Sequence, residues 1–280
     1  MIFLTFFVNI CFSTINEKSL LDKQYYIFND GTHFNGIADE DLAIKNAWKN
    51  NYTGKGVYII IINDGCQANH SLLKNNYFDN FSYNYETGEE NPSYDPRQFI
   101  TSTGTKLAAI AAGSYNDFCG IGIAYDSTIS CVNVLTTEKA RSNFVTGIKL
   151  NRHLNRSIRV FPSFSQFVSN ACLLSSFSDN EESYFKTLKP IYVTSVTNGV
   201  VKANEDYNYQ FFTGNPYFLT FAEISQRGGR TATSPRGNSV LASVVTGGGD
   251  YESDISFLSA YITAGDGFDN TCSETISPNG

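Results

Sequence analysis

The sequence predicts an α/β domain built on a mostly parallel β-sheet, and three observations carry that reading. Gly56-Val57-Tyr58-Ile59-Ile60-Ile61-Ile62 is a continuous β-branched and aromatic run rather than an alternating one; a strand buried on both faces reads this way. Weaker runs of the same kind recur at 128–135, 158–161, 190–196 and 217–222. Helical stretches fall at 42–49, 104–112 and 142–154, and strands alternating with helices imply βαβ units and a parallel sheet with helices on both faces.

Taken in chain order, the helix at 42–49 precedes the isoleucine strand, which belongs in the middle of the sheet. Residues 75–99 are rich in Asn, Tyr, Glu, Pro and Gly and predict an irregular surface loop. The helix at 104–112, Gly-Thr-Lys-Leu-Ala-Ala-Ile-Ala-Ala, is made of small residues that let it approach a sheet closely. Gly247-Gly248-Gly249-Asp250 reads as a second loop. No internal repeat is visible.

The 280 residues, 41% of them apolar, suffice for one sizeable core. Only 17% are charged, the formal net charge is -7, and no Lys/Arg cluster is present. Nucleic acid is therefore excluded as an expected partner.

Residues 1–13 form a short apolar run closing on Cys11-Phe12-Ser13, the pattern of a signal peptide. The run lacks Lys or Arg near its start, which leaves an anchor or a buried N-terminal strand open as alternatives. Residues 14–280 contain no apolar run long enough to span a bilayer; an anchor beyond Gly280 stays open. The expected location is outside the cell or in the lumen of the secretory pathway. Four Asn-x-Ser/Thr sequons, at Asn51, Asn69, Asn80 and Asn155, are candidate glycosylation sites there. With Cys11 set aside, five cysteines remain, an odd number for an oxidising compartment, so at least one thiol is expected to stay free.

The order Asp41-Leu42, Ala47-Trp48, Tyr52-Thr53-Gly54-Lys55-Gly56-Val57, the isoleucine strand and Asp64-Gly65 resembles the opening of a kexin/furin catalytic domain. Thr103-Gly104-Thr105-Lys106 and Cys119-Gly120-Ile121-Gly122-Ile123-Ala124-Tyr125 are similar to that family's His-Gly-Thr-Arg helix and Cys-Gly-Val-Gly-Val-Ala-Tyr turn. By this resemblance the chain is identified as a member of the subtilisin-like serine peptidases, kexin/furin branch, with a three-layer fold. The peptidase domain is expected over 22–280, ending before the helix that bears the nucleophile. The resemblance implies a disulfide between Cys119 and Cys272; Cys66, Cys131 and Cys172 have no counterpart in it, and their pairing stays open.

A subtilisin-type site needs a Ser nucleophile, a His that takes its proton and an Asp that orients the His. The resemblance puts the Asp position at Asn63 and the His position at Thr103. Asp-to-Asn in such a triad costs about 10⁴ in turnover, and a Thr hydroxyl accepts no proton near neutral pH. The Ser position is Gly280 itself or lies beyond it. The three histidines, His33, His70 and His153, read as surface or structural residues. Asn198 matches the oxyanion position, a side-chain amide able to donate to developing negative charge; a turn asparagine is the equally weighted alternative. Ser163, Phe164 and Ser165 fall where the family lines its first subsite with acids, and Asn208-Tyr209-Gln210 is equally uncharged.

Calcium is the one cofactor the resemblance brings into question. Asp41 and Asn116 match family ligands, but Leu72 occupies a third ligand position, and a hard cation asks for six or more oxygens. The expected function is that of a pseudoprotease binding a peptide or protein partner in the former cleft. Two alternatives stay open: a working serine endopeptidase with a rearranged site, using Asp64 or another carboxylate as base and a Ser beyond Gly280, and a truncated gene copy without independent function.

Overall fold

The computed structural model describes residues 24–32, 36–90, 103–115, 120–134, 157–161, 190–195, 213, 216–231, 234, 237–246, 259–260 and 272–273. The described elements are α1 (Ile44–Lys49), β1 (Tyr58–Asn63), a 3-10 turn (Asp79–Phe81), β2 (Tyr83–Asn84), β3 (Glu89–Glu90), α2 (Thr103–Ala112), β4 (Thr128–Asn133), β5 (Ser157–Val160), β6 (Ile191–Ser195), β7 (Phe218–Ile224), β8 (Ala242–Val245), β9 (Ser259–Ala260) and β10 (Cys272–Ser273). Among them an eight-stranded sheet runs in the order β3-β2-β4-β1-β5-β6-β7-β8, with β9 and β10 paired separately.

The isoleucine run forms the middle of this sheet because both of its faces are apolar. β1 pairs in parallel with β4, Ile61 opposite Cys131, and with β5, Ile61 opposite Val160. The five strands anticipated from composition are all present. All the pairings in the large sheet are parallel except β2 with β3. That exception corrects the expectation of an irregular loop in its described part, residues 75–90: Tyr83–Asn84 adds to β4 and turns back through Glu89–Glu90, while 91–99 lie outside the described residues. Two-residue strands leave no periodic signal, so the sheet edge rather than local pattern recruits them. The anticipated helix at 142–154 and the glycine loop at 247–250 lie outside the described residues.

α2 covers the face of β1 that carries Ile59 and Ile61, and its Ala108, Ala109 and Ala112 join them in a core with Leu72, Leu73 and Ile129. Gly104 shows why small residues are needed, since a Cβ there would run into the Gly65 carbonyl oxygen. Cys66 and Cys131 lie in the same core and form a disulfide, Cα–Cα 5.9 Å, which answers the pairing that the sequence left open for them. Cys119, the expected partner of Cys272, lies outside the described residues.

A second core gathers Tyr25, Tyr26, Ile27 and Val245 with Leu42, Trp48, Ile121 and Ile123. Gln24 ties the N-terminal segment to this layer: its Nε2 donates to the Ile121 carbonyl at 2.8 Å and its Oε1 accepts the Ile121 N–H at 2.9 Å. The Trp48 ring donates to the Ile123 carbonyl at 2.9 Å and packs edge-on against Tyr125, ring centroids 5.3 Å apart.

Candidate functional site at the end of the central strand

In a parallel α/β sheet, binding groups collect beyond the C-terminal ends of the strands, and here that edge begins with a row of asparagines. Asn63 of β1 stands opposite Asn133 of β4, and Asn133 opposite Asn84 of β2. The Asn133 amide donates to Asn84 Oδ1 at 3.1 Å, and the Asn63 carbonyl accepts the Val134 N–H at 2.7 Å. The Asn63 side chain is buried; its Oδ1 accepts the Asp64 N–H at 3.0 Å, while among the described residues its Nδ2 has no acceptor. A buried amide hydrogen left unmatched costs about 1–3 kcal/mol, so position 63 is held by the strand and not by a favourable side-chain network.

Asp64 is the residue whose role sequence reading missed. Its Oδ1 accepts the Gly104 N–H at 2.6 Å and its Oδ2 the Thr103 N–H at 3.2 Å. The first amides of a helix have no partner within it and carry the positive end of its dipole. A carboxylate from another segment therefore closes the N-terminus of α2. Gln67 adds a second tie, its backbone N–H donating to Thr105 Oγ1 at 2.9 Å. One turn into α2, burial holds the Lys106 amine below its usual value, and the Asp64 charge partly restores it. Nothing local announces this arrangement, because Asp64 and Gly104 are forty residues apart.

Thr103 is thus the first residue of α2, half-buried, with its backbone fixed on Asp64. Asn63 and Thr103, the two positions aligned with the Asp and His of a triad, are both joined to Asp64 by hydrogen bonds. His70 is fully buried and its Nδ1 accepts the Leu72 N–H at 3.2 Å, a structural use. Asn198, Ser163, Phe164, Ser165, Asn116, Asn155, His33, His153 and Gly280 lie outside the described residues. Asn51, Asn69 and Asn80 are exposed.

Of the positions the resemblance matches to calcium ligands, Asp41 and Leu72 are described and Asn116 is not. Leu72 has its side chain in the core, and its carbonyl accepts both the backbone N–H and the hydroxyl of Ser114, at 2.7 and 3.1 Å. The Asp41 carboxylate accepts the Ala43 N–H at 2.7 Å and the Asn29 N–H at 3.1 Å. Among the described residues no three His, Cys, Asp or Glu side chains gather to hold a metal.

A parallel sheet with a small-residue helix starting beside the end of its central strand defines a layered α/β scaffold, and residues 54–277 match the family described as "Subtilase family". The chain belongs to that family, and its fold is the subtilisin-like three-layer α/β fold. Its relatives place it with the kexin/furin branch. It is 27% identical to Furin-1 of Xenopus laevis, covering 83% of this chain and 30% of that protein. It is 28% identical to kexin of Saccharomyces cerevisiae, covering 85% and 29%. Over 120 residues it is 37% identical to neuroendocrine convertase 2 of Rattus norvegicus, covering 41% and 18%. The chain spans less than a third of the length of these relatives.

Among solved structures it is similar to the Aeromonas sobria serine protease in complex with its chaperone, TM-score 0.68 at 21% identity, covering 86% of this chain and 45% of that one. It is also similar to a protease of Pseudoalteromonas arctica, TM-score 0.63 at 16% identity, covering 91% and 80%. Among the described residues no helix is long and apolar enough to cross a membrane.

Proposed function

We propose that this chain is a catalytically inactive subtilase of the secretory pathway that holds a peptide or protein partner in the former substrate cleft of the family. One observation carries the reading. Thr103 opens α2, where the family resemblance expects the proton-accepting His, and its backbone N–H is held by Asp64. A hydroxyl there has no capacity to act as base near neutral pH. The scaffold around it persists, as the close Gly104–Gly65 contact and the Trp48 anchor show.

The rival reading, a working peptidase with Asp64 as substitute base, has less support. Both Asp64 oxygens already accept helix amides, and a base must reach its nucleophile within hydrogen-bond distance. Calcium is left out of the proposal because Leu72 supplies hydrocarbon where the family has a ligand.

The test is hydrolysis of a peptide library together with labelling by a fluorophosphonate probe. No cleavage and no labelling are expected, while the same library yields a retained peptide by affinity capture. Cleavage that disappears on Asp64→Asn would overturn the proposal in favour of the substitute base.

A further inference from the structure

We propose that Asn80 carries an N-linked glycan whose first sugar lies on the Phe78 ring, so that the glycan stabilises the strand-start edge of the sheet. This modification rests on the proposed passage through the secretory pathway and on nothing in the proposed cleft.

The sequon is Asn80-Phe81-Ser82. It sits in a closed turn: the Ser82 N–H donates to the Asp79 carbonyl at 2.8 Å, and the flanking Phe78 and Ser82 are extended. Asn80 is exposed within that turn. Phe78 is fastened to β4 at both ends of its backbone, its N–H donating to the Ile129 carbonyl at 2.8 Å and its carbonyl accepting the Ser130 hydroxyl at 2.7 Å. Its ring packs against Phe81, centroids 5.2 Å apart, and Phe81 packs edge-on against Tyr58, the first residue of β1, at 5.6 Å. Backbone and neighbouring rings therefore hold the Phe78 ring in place, yet Phe78 stays 36% exposed.

A fixed, exposed ring two residues before a sequon asparagine suits a sugar. A pyranose presents C–H bonds on its faces, and the negative face of an aromatic ring attracts them. Two residues of chain span at most about 7 Å, so a sugar on the Asn80 amide reaches Phe78 by folding back. At the same distance before Asn51 and Asn69 stand Lys49 and the buried Gln67, which offer no ring. In the modification the Asn80 amide nitrogen bonds to the anomeric carbon of a glycan carried on a lipid diphosphate. The bond from that carbon to the diphosphate breaks, the diphosphate leaves with the electron pair, and the amide releases one proton. Ser82 is buried, its Oγ accepting the Cys131 N–H at 3.2 Å, so the sugar is added before this turn closes on β4.

The experiment secretes the full chain from a eukaryotic host, once from its own N-terminus and once behind a foreign secretion leader. Mass analysis of the Asn80 peptide before and after enzymatic deglycosylation reads occupancy, and thermal unfolding reads its effect. Asn80→Gln is expected to lower Tm by about 2–4 °C, the worth of one contact on an aromatic face in a domain of this size. In Phe78→Ala, or Phe78→Leu should the first not fold, the same substitution should leave Tm unchanged, which separates the stacked ring from the bulk of the glycan. The advantage of the parent over Asn80→Gln should survive trimming of every glycan to its first sugar and vanish on complete removal. An unoccupied Asn80 behind the foreign leader, an advantage that persists without the Phe78 ring, or one that is lost on trimming to the first sugar would each overturn the inference. A chain left in the cytosol by its own N-terminus overturns the secretory reading instead, and the foreign leader still decides on Asn80.

Discussion

Asp64 Oδ1 accepts the Gly104 N–H at 2.6 Å, so the turn that ends the central strand and the helix that starts the next layer share one carboxylate. The bond is short because Gly104 has no Cβ to hold the turn away: any larger residue would meet the Gly65 carbonyl. A helix cap of this kind typically contributes about 1 kcal/mol, and up to about 2. Asp64→Ala is therefore expected to lower Tm by roughly 2–8 °C at about 2–4 °C per kcal/mol for a domain of this size. Thermal unfolding followed by circular dichroism checks it; an unchanged Tm would mean that the carboxylate does not cap α2.

The Cys66–Cys131 disulfide joins residues at a sequence separation of 65 and lies wholly in the core. Restricting an unfolded loop of that size is worth roughly 4 kcal/mol in the chain-entropy model. The double variant Cys66→Ala/Cys131→Ala should lose about that much in denaturant unfolding. With the bond buried, labelling of Cys66 and Cys131 after treatment with reductant, read by peptide mapping, should stay low in native buffer and rise only in denaturant.

Calcium should leave stability unchanged. A ligand at a hundred times its Kd would add about 2.7 kcal/mol, whereas Leu72 is in the core and Asp41 is engaged by two backbone amides. Thermal unfolding with chelator and with millimolar calcium should give the same Tm. A shift of several degrees would show that other oxygens complete a site.

Lys106 gives a pH signature. Burial lowers its pKa from 10.5 and Asp64 raises it in part. The folded state then holds fewer protons on this amine than the unfolded state at pH values between the folded pKa and 10.5. Stability rises with pH wherever the unfolded state binds more protons, so Lys106 penalises folding below its folded pKa and the penalty fades as pH rises toward 10.5. Relative to Lys106→Met, the parent should gain stability as pH rises toward 10.5. Parallel pH profiles for the two proteins would contradict this.

Much of the sheet was legible in the sequence because a strand buried on both faces is apolar throughout, and the short, β-branched and aromatic run Val57 to Ile62 favours a strand over a buried helix. The same holds for α2, whose run of Ala residues fits only close packing against a neighbour. Motif order matched Asn63 and Thr103 to positions that carry chemistry in the family, and their residue types alone gave the expectation that the orienting charge and the base are missing there.

What the tertiary structure decided are the relationships that join segments distant in the chain. Cys66 finds Cys131, Asp64 finds Gly104, Gln24 finds Ile121 and Tyr83 finds Val132 only once the strands are in register. Apolar periodicity is a local record of burial and survives in one dimension. A hydrogen bond or disulfide between segments forty to a hundred residues apart depends on two backbones meeting, and neither segment bears a mark of the other.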